Sequence, residues 1–180
     1  MPSGSTHDRI TLWLFPGVVG ISYLITRDGD LTLFLGGGFF FAGLMFGPDL
    51  DIYSIQFKRW GILGVIWLPY QKLFRHRSWL SHGLMIGTVI RILYFVLWLF
   101  LLGTVLVAIA QMIWGFEWNW QSFTLAMIQS VRGVYLPEAI ALFIGLDLGA
   151  MSHSISDWIV SHSKKRKKAK GSKPKSKIKS

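Results

Sequence analysis

The sequence predicts an all-α fold: a multi-span helical membrane protein, most simply a four-helix bundle. Three observations lead there. Hydrophobic residues make up 52% of the chain and the mean hydropathy is +0.44. Only 16% of residues are charged, against roughly a quarter in ordinary soluble domains. Apolar runs near the length needed to cross a bilayer as a helix, about 20 residues with roughly 17 as a lower limit, recur four times.

The first run, Ile10 to Thr26, carries no charge but includes Pro16 and two glycines. Such breakers are tolerable in lipid when neighbouring helices satisfy the displaced backbone groups. The second, Leu31 to Pro48, is uncharged throughout and contains Gly36-Gly37-Gly38 and Phe39-Phe40-Phe41. A central loop follows, ending in Arg75-His76-Arg77-Ser78-Trp79-Leu80-Ser81-His82, with Ser81 placed to cap the third helix. The third run, Ile92 to Phe116, is the strongest, without one charged residue. The fourth, Val134 to Met151, is interrupted by Glu138 and Asp147. The first and fourth could alternatively be re-entrant or lie in the interface. Nine Trp, five Tyr and thirteen Phe suit an aromatic belt, and nineteen Gly suit close helix packing. No cleavable signal peptide is expected.

The formal charge of +10 belongs to one end of the chain. Residues 164–180 hold ten Lys and Arg and no acid, whereas the rest of the chain holds nine bases and nine acids. The expected organisation is a helical membrane domain over 1–163 and a disordered, lysine-rich cytoplasmic tail over 164–180. The tail can hold anionic headgroups at about 1 kcal/mol per base near the surface. It has no aromatic interleaving, so nucleic acid is not an expected partner. Membrane lipids are.

With four spans, one side receives Arg9, Lys58, Arg59, Lys72, Arg75, Arg77 and the tail. The other receives Arg27 and Arg132, with Asp28, Asp30 and Glu117. The positive-inside rule then puts both termini and the central loop in the cytoplasm, at the inner (plasma) membrane.

The few remaining polar groups fall in four patches. These are Thr6-His7-Asp8-Arg9, Gly47-Pro48-Asp49-Leu50-Asp51, the stretch from Arg75 to His82, and Ser152-His153-Ser154-Ile155-Ser156-Asp157. Counting crossings returns all four to the same membrane face. Cysteine is absent, so thiolate chemistry is excluded, and neutral imidazole with carboxylate is the natural remaining ligand set for zinc, iron or manganese. His153 and Asp157 are four apart and share a helix face. With His7, Asp49, Asp51, His76 and His82 the set is large enough for one or two ions. Asp147 and Glu138 are separate suspects, since carboxylates within apolar segments usually carry function. His162 adjoins the tail and reads as an ordinary exposed residue.

Through these patches the chain resembles a cyanobacterial-type family of uncharacterised small metal-binding proteins, which is similar to the predicted membrane-bound metal-dependent hydrolases. The likeness spans residues 6–158 and leaves the tail unmatched. It implies His7, Asp49, Asp51, His76, His82, His153 and Asp157 as ligand positions, with zinc the first expectation, and Arg77 beside the metals, suited to an anion. The implied chemistry is hydrolysis of an amphiphilic ester or phosphoester. Asp49 or Asp51 would orient or deprotonate the attacking water, and Arg77, with Arg75 or Arg9, would offset developing negative charge. No Gly-x-Ser-x-Gly turn is present, which excludes that form of serine chemistry. Two other functions fit the same residues. One is a non-catalytic metal-binding sensor or interaction protein. The other is a transporter using Asp147 and Glu138.

Overall fold

The computed structural model describes residues 4–74 and 78–171, with side chains described through residue 160. Among the described residues it is helical, without strands. Helix α1 spans Gly4–Thr26 and α2 spans Gly29–Leu44. A 3₁₀ turn, Pro48–Asp51, leads into the short helix α3, Ile55–Lys58. A second 3₁₀ segment, Gly61–Trp67, runs into α4, Leu68–Leu73. Helix α5 is a single turn, Trp79–His82, followed by α6, Ile86–Trp114, α7, Trp120–Gly133, and α8, Leu136–Gly171. The α1/α2, α6 and α8 regions supply four helices long and apolar enough to cross a membrane. Apolar side chains face outward along them, as at Trp13, Leu33, Leu106 and Ile140.

Local chemistry sets the joints. The chain leaves α1 through Arg27, at φ +53. The Asp28 carboxylate then accepts the Asp30 and Leu31 N–H groups at 2.8 and 3.0 Å. That satisfies donors a helix start otherwise leaves unpaired. Helices α2 and α8 pack most intimately because glycines let their backbones meet. A Cβ on Gly38 would lie 2.7 Å from the Leu142 carbonyl oxygen, and Cβ atoms on Gly145 and Gly149 would collide with the carbonyls of Leu35 and Phe39. Gly145, Gly149 and His153 follow at intervals of four, so this ridge of close contact continues into the polar end of α8.

The central segment departs from expectation. It is not an open loop but a folded cap built from short helices. Its runs are too short and too broken by Gly61, Gly64 and Pro69 to show helical periodicity, yet they bury Trp67 and Tyr70 completely. Trp67 packs among Phe46, Trp60, Tyr94 and Phe95, and Tyr94 donates to the Ile66 carbonyl. Three side-chain amides and indoles tie the cap to the neighbouring turns. Gln56 donates to Gly43 O at 3.1 Å, Trp60 to Met45 O at 2.9 Å, and Gln71 to the Leu50 and Ile52 carbonyls at 3.1 and 3.0 Å. The turn bearing Asp49 and Asp51 is therefore braced from below.

Two further differences concern helix ends. Ser81 does not cap the third long helix: Ser78 caps α5 by accepting the Ser81 N–H, and α6 begins after Met85. The fourth helix does not stop near Met151 but runs to Gly171, through the first part of the lysine-rich segment. The remainder of that segment, 172–180, lies outside the described residues, as do the side chain of His162 and residues 75–77. Helix α7, with no buried residue, had no counterpart in the sequence reading.

Candidate metal centre

Each polar patch arrives at the same end of the molecule on a different element. His7 sits one turn into α1, where Thr6 and Asp8 flank it. Asp8 is held in a two-pronged ion pair by Arg59, which also donates to the Leu44 carbonyl at 2.7 Å. That clamp fixes the start of α1 against the end of α2. Asp49 and Asp51 lie on the Pro48–Asp51 turn, His82 closes α5, and His153 and Asp157 stand one turn apart on α8.

The six side chains form a continuous cluster. Asp157 Oδ1 lies 3.3 Å from His7 Nε2. The His7 ring stacks on His153 with centroids 3.7 Å apart. His153 Nε2 lies 3.1 Å from Asp49 Oδ2, while the other Asp49 oxygen is 3.7 Å from His82 Nε2. His82 Nδ1 in turn lies 3.6 Å from Asp51 Oδ2. Within this cluster, His7, His153 and Asp157 each present a ligand atom within 4.8 Å of the others, and all three are buried. His76 and Arg77, expected at the same place, fall outside the described residues. Arg9 is exposed.

The donor set fits a cation, on three grounds. First, spacing: two ligand atoms about 2.1 Å from one ion are about 3.4 Å apart across a tetrahedral angle. The nitrogen–oxygen gaps of 3.1, 3.3, 3.6 and 3.7 Å bracket that value, and most exceed a good hydrogen bond. Second, His153, which is 3% exposed, has no hydrogen-bond partner at Nδ1 among the described residues, while its Nε2 faces the Asp49 carboxylate. Buried polar atoms are seldom left so. Third, tautomers: Ser156 Oγ stands 2.8 Å from the His153 carbonyl and 2.7 Å from His7 Nδ1. A hydroxyl has one proton. With that proton on the carbonyl, His7 Nδ1–H must be the donor to Ser156, which leaves the Nε2 lone pair of a neutral His7 facing the Asp157 carboxylate. Two lone-pair donors brought together call for a positive charge between them. A ligating histidine oriented through its other N–H is the usual arrangement of such sites.

The rim is uneven. The side chains of Asp49 and His82 are 17% and 14% exposed, whereas those of His153 and Asp51 are 3% and 0%. Burial pushes the neighbouring Tyr70 phenol up to about 12, so it stays a neutral hydroxyl beside the carboxylates at any physiological pH.

Three contributors escaped the sequence reading. Ser156 shares the His153 face by its three-residue spacing, a signal that was available. In the sequence Arg59 and Arg91 are simply two of the nine bases outside the tail. Arg91 stands one residue before the uncharged run Ile92 to Phe116, and the structure places it inside α6. Asp147, suspected from its position, accepts from the Thr88 hydroxyl at 2.7 Å and the Met85 N–H at 3.0 Å.

A family model described as Uncharacterized metal-binding protein (DUF2227) matches residues 2–167. No curated protein and no solved structure matches the chain.

Proposed function

The chain belongs to this family of metal-binding proteins, and on that premise we propose that it is an integral membrane protein whose His/Asp cluster forms the centre of a metal-dependent hydrolase. The observation that carries the reading is the convergence of His7, Asp49, Asp51, His82, His153 and Asp157 at one end of the apolar helices. His7, His153 and Asp157 would hold the ion together with Asp49 Oδ2, the carboxylate that joins that group to His82 and Asp51. The nitrogen and oxygen donors suit zinc first, then iron or manganese. When bound, such an ion lowers the pKa of coordinated water and polarises the bond to be cut.

What the protein supplies is position and access. Asp49 is the candidate to orient the attacking water or take its proton, because it stands at the exposed rim with one oxygen toward each histidine. Asp51, buried beside His82, is the candidate to hold that imidazole in place. Arg77 is the proposed partner for an anionic substrate. A centre at the end of membrane-spanning helices favours an amphiphilic ester or phosphoester, and the positive-inside bias assigns that end to the cytoplasmic side of the plasma membrane. The basic tail would add affinity for anionic headgroups.

A non-catalytic metal-binding sensor is the competing reading, favoured by the deep burial of His153 and Asp157. Transport has less support, because Asp147 is engaged with Thr88 and Met85 rather than lining an open path. The two main readings separate in one assay. Purified protein in mixed micelles, loaded with zinc, is given an amphiphilic phosphodiester and an amphiphilic carboxylic ester. Metal-dependent turnover abolished by Asp49→Ala supports the hydrolase. Stoichiometric metal without turnover of either supports the sensor.

A further inference from the structure

Beyond the His/Asp cluster, two opposite charges are buried on the long apolar helices. Arg91 on α6 is 1% exposed and Asp147 on α8 is 8% exposed. They meet through a third residue: the Thr88 hydroxyl donates to Asp147 Oδ1 at 2.7 Å and accepts from Arg91 Nη2 at 3.1 Å. Both charges also grip main chain. Arg91 Nη1 donates to the Ser81 carbonyl at 2.8 Å, and Asp147 Oδ1 accepts the Met85 N–H at 3.0 Å. The segment from Ser81 to Thr88 is thus pinned at three points.

That segment needs pinning. Met85 has φ +58 and ψ −52, a region a side-chain-bearing residue occupies only when its surroundings enforce it. Gly87 permits the closure, since a Cβ there would lie 2.7 Å from the Ser81 carbonyl oxygen and 3.4 Å from Arg91 Nη1. Between the network and the cluster lies a cavity of about 10 Å³, with Pro48, His82, Arg91 and Asp147 on its wall, room for one water at most. Ser81 Oγ touches His82 Nδ1 at 3.0 Å. Any displacement of the Ser81 carbonyl therefore reaches His82 directly.

Desolvating an Arg and an Asp is costly, and a pair that served only to join two helices could be replaced by apolar packing. We infer that Arg91, Thr88 and Asp147 are positioning residues for the metal centre: they hold the turn bearing His82 at its spacing from Asp49 and Asp51. This rests on the metal-centre reading above.

The experiment titrates full-length detergent-solubilised protein with Co²⁺ and records both affinity and the visible ligand-field spectrum, with thermal midpoint measured in parallel. Thr88→Val removes the linking hydroxyl at nearly constant volume, and Thr88→Ser restores it. The expected result is a Co²⁺ affinity about 10- to 100-fold weaker with an altered spectrum in Thr88→Val, as for other lost outer-shell contacts, and recovery of both in Thr88→Ser. The paired change Arg91→Leu with Asp147→Leu should keep or raise the thermal midpoint while losing the wild-type spectrum. Wild-type affinity and spectrum in Thr88→Val, or in a folded Leu/Leu variant, overturns the positioning role and leaves the network as helix packing. Failure of the wild-type protein to bind Co²⁺ overturns the metal-centre reading itself, and the proposal with it.

Discussion

Replacing Gly149 by alanine sets two effects of known sign against each other. Alanine is the better helix former by about 1 kcal/mol. Its Cβ, however, would overlap the Phe39 carbonyl and lie 2.9 Å from Ala42 Cβ and 3.0 Å from Gly43 N. Carbon atoms rest at about 3.5–4.0 Å, so α2 and α8 must part by about 1 Å. Overpacking of that order costs about 1–3 kcal/mol, and the net change is a loss of about 0–2 kcal/mol. Gly37→Ala in α2 is the matched control, because nothing lies within 4 Å of its added Cβ; it should gain about 1 kcal/mol. The difference between the two variants, about 1–3 kcal/mol, is then the steric term alone. The functional consequence is larger than the energetic one. Gly149 stands one turn before His153, and opening the 3.1 Å gap from His153 to Asp49 by about 1 Å takes it past the roughly 3.4 Å that two ligands of one ion span. Denaturant midpoints from circular dichroism in mixed micelles, with zinc affinity from competition against a chelating dye, read both quantities. If Gly149→Ala matches Gly37→Ala in stability and zinc affinity, the close α2–α8 contact does not set the centre.

Ser156→Ala should weaken zinc binding about 10- to 100-fold and let His7 sample the other tautomer, visible in its ¹⁵N chemical shifts; Ser156→Thr should restore both. Acidification should release metal, because protons compete for the same imidazole and carboxylate lone pairs; zinc affinity followed from about pH 7.5 to about pH 5.5 should fall steadily. Binding that stays constant over that range would mean the histidines are not ligands. Asp49→Asn keeps the shape of the rim but removes its charge, and should lower turnover and metal affinity together, checked by kinetics at saturating and limiting zinc.

The long helices were legible because a run of some 20 uncharged apolar residues has few other structures open to it. The return of each polar patch to one end followed from counting those runs. What lay between them was less legible, for physical reasons. The cap over residues 55–73 is stabilised by rings that meet across the chain, such as Trp67 with Phe95, and short segments packed in this way carry no period of their own. The apolar run ends at Met151, but the helix whose face His153 and Asp157 share continues to Gly171, because buried ligand side chains can extend a helix beyond its apolar stretch. Thr88 and Arg91 are neighbours on α6, but Asp147 lies 59 residues beyond Thr88, a pairing no local pattern announces. Ser156 was within reach, three residues beyond His153.

The most direct measurement is the metal content of purified, detergent-solubilised protein after metal-replete growth, compared with His153→Ala and Asp49→Ala. The account expects stoichiometric zinc, iron or manganese in the wild type and its loss in both variants. A metal-free wild type, or content unchanged in both variants, would contradict it.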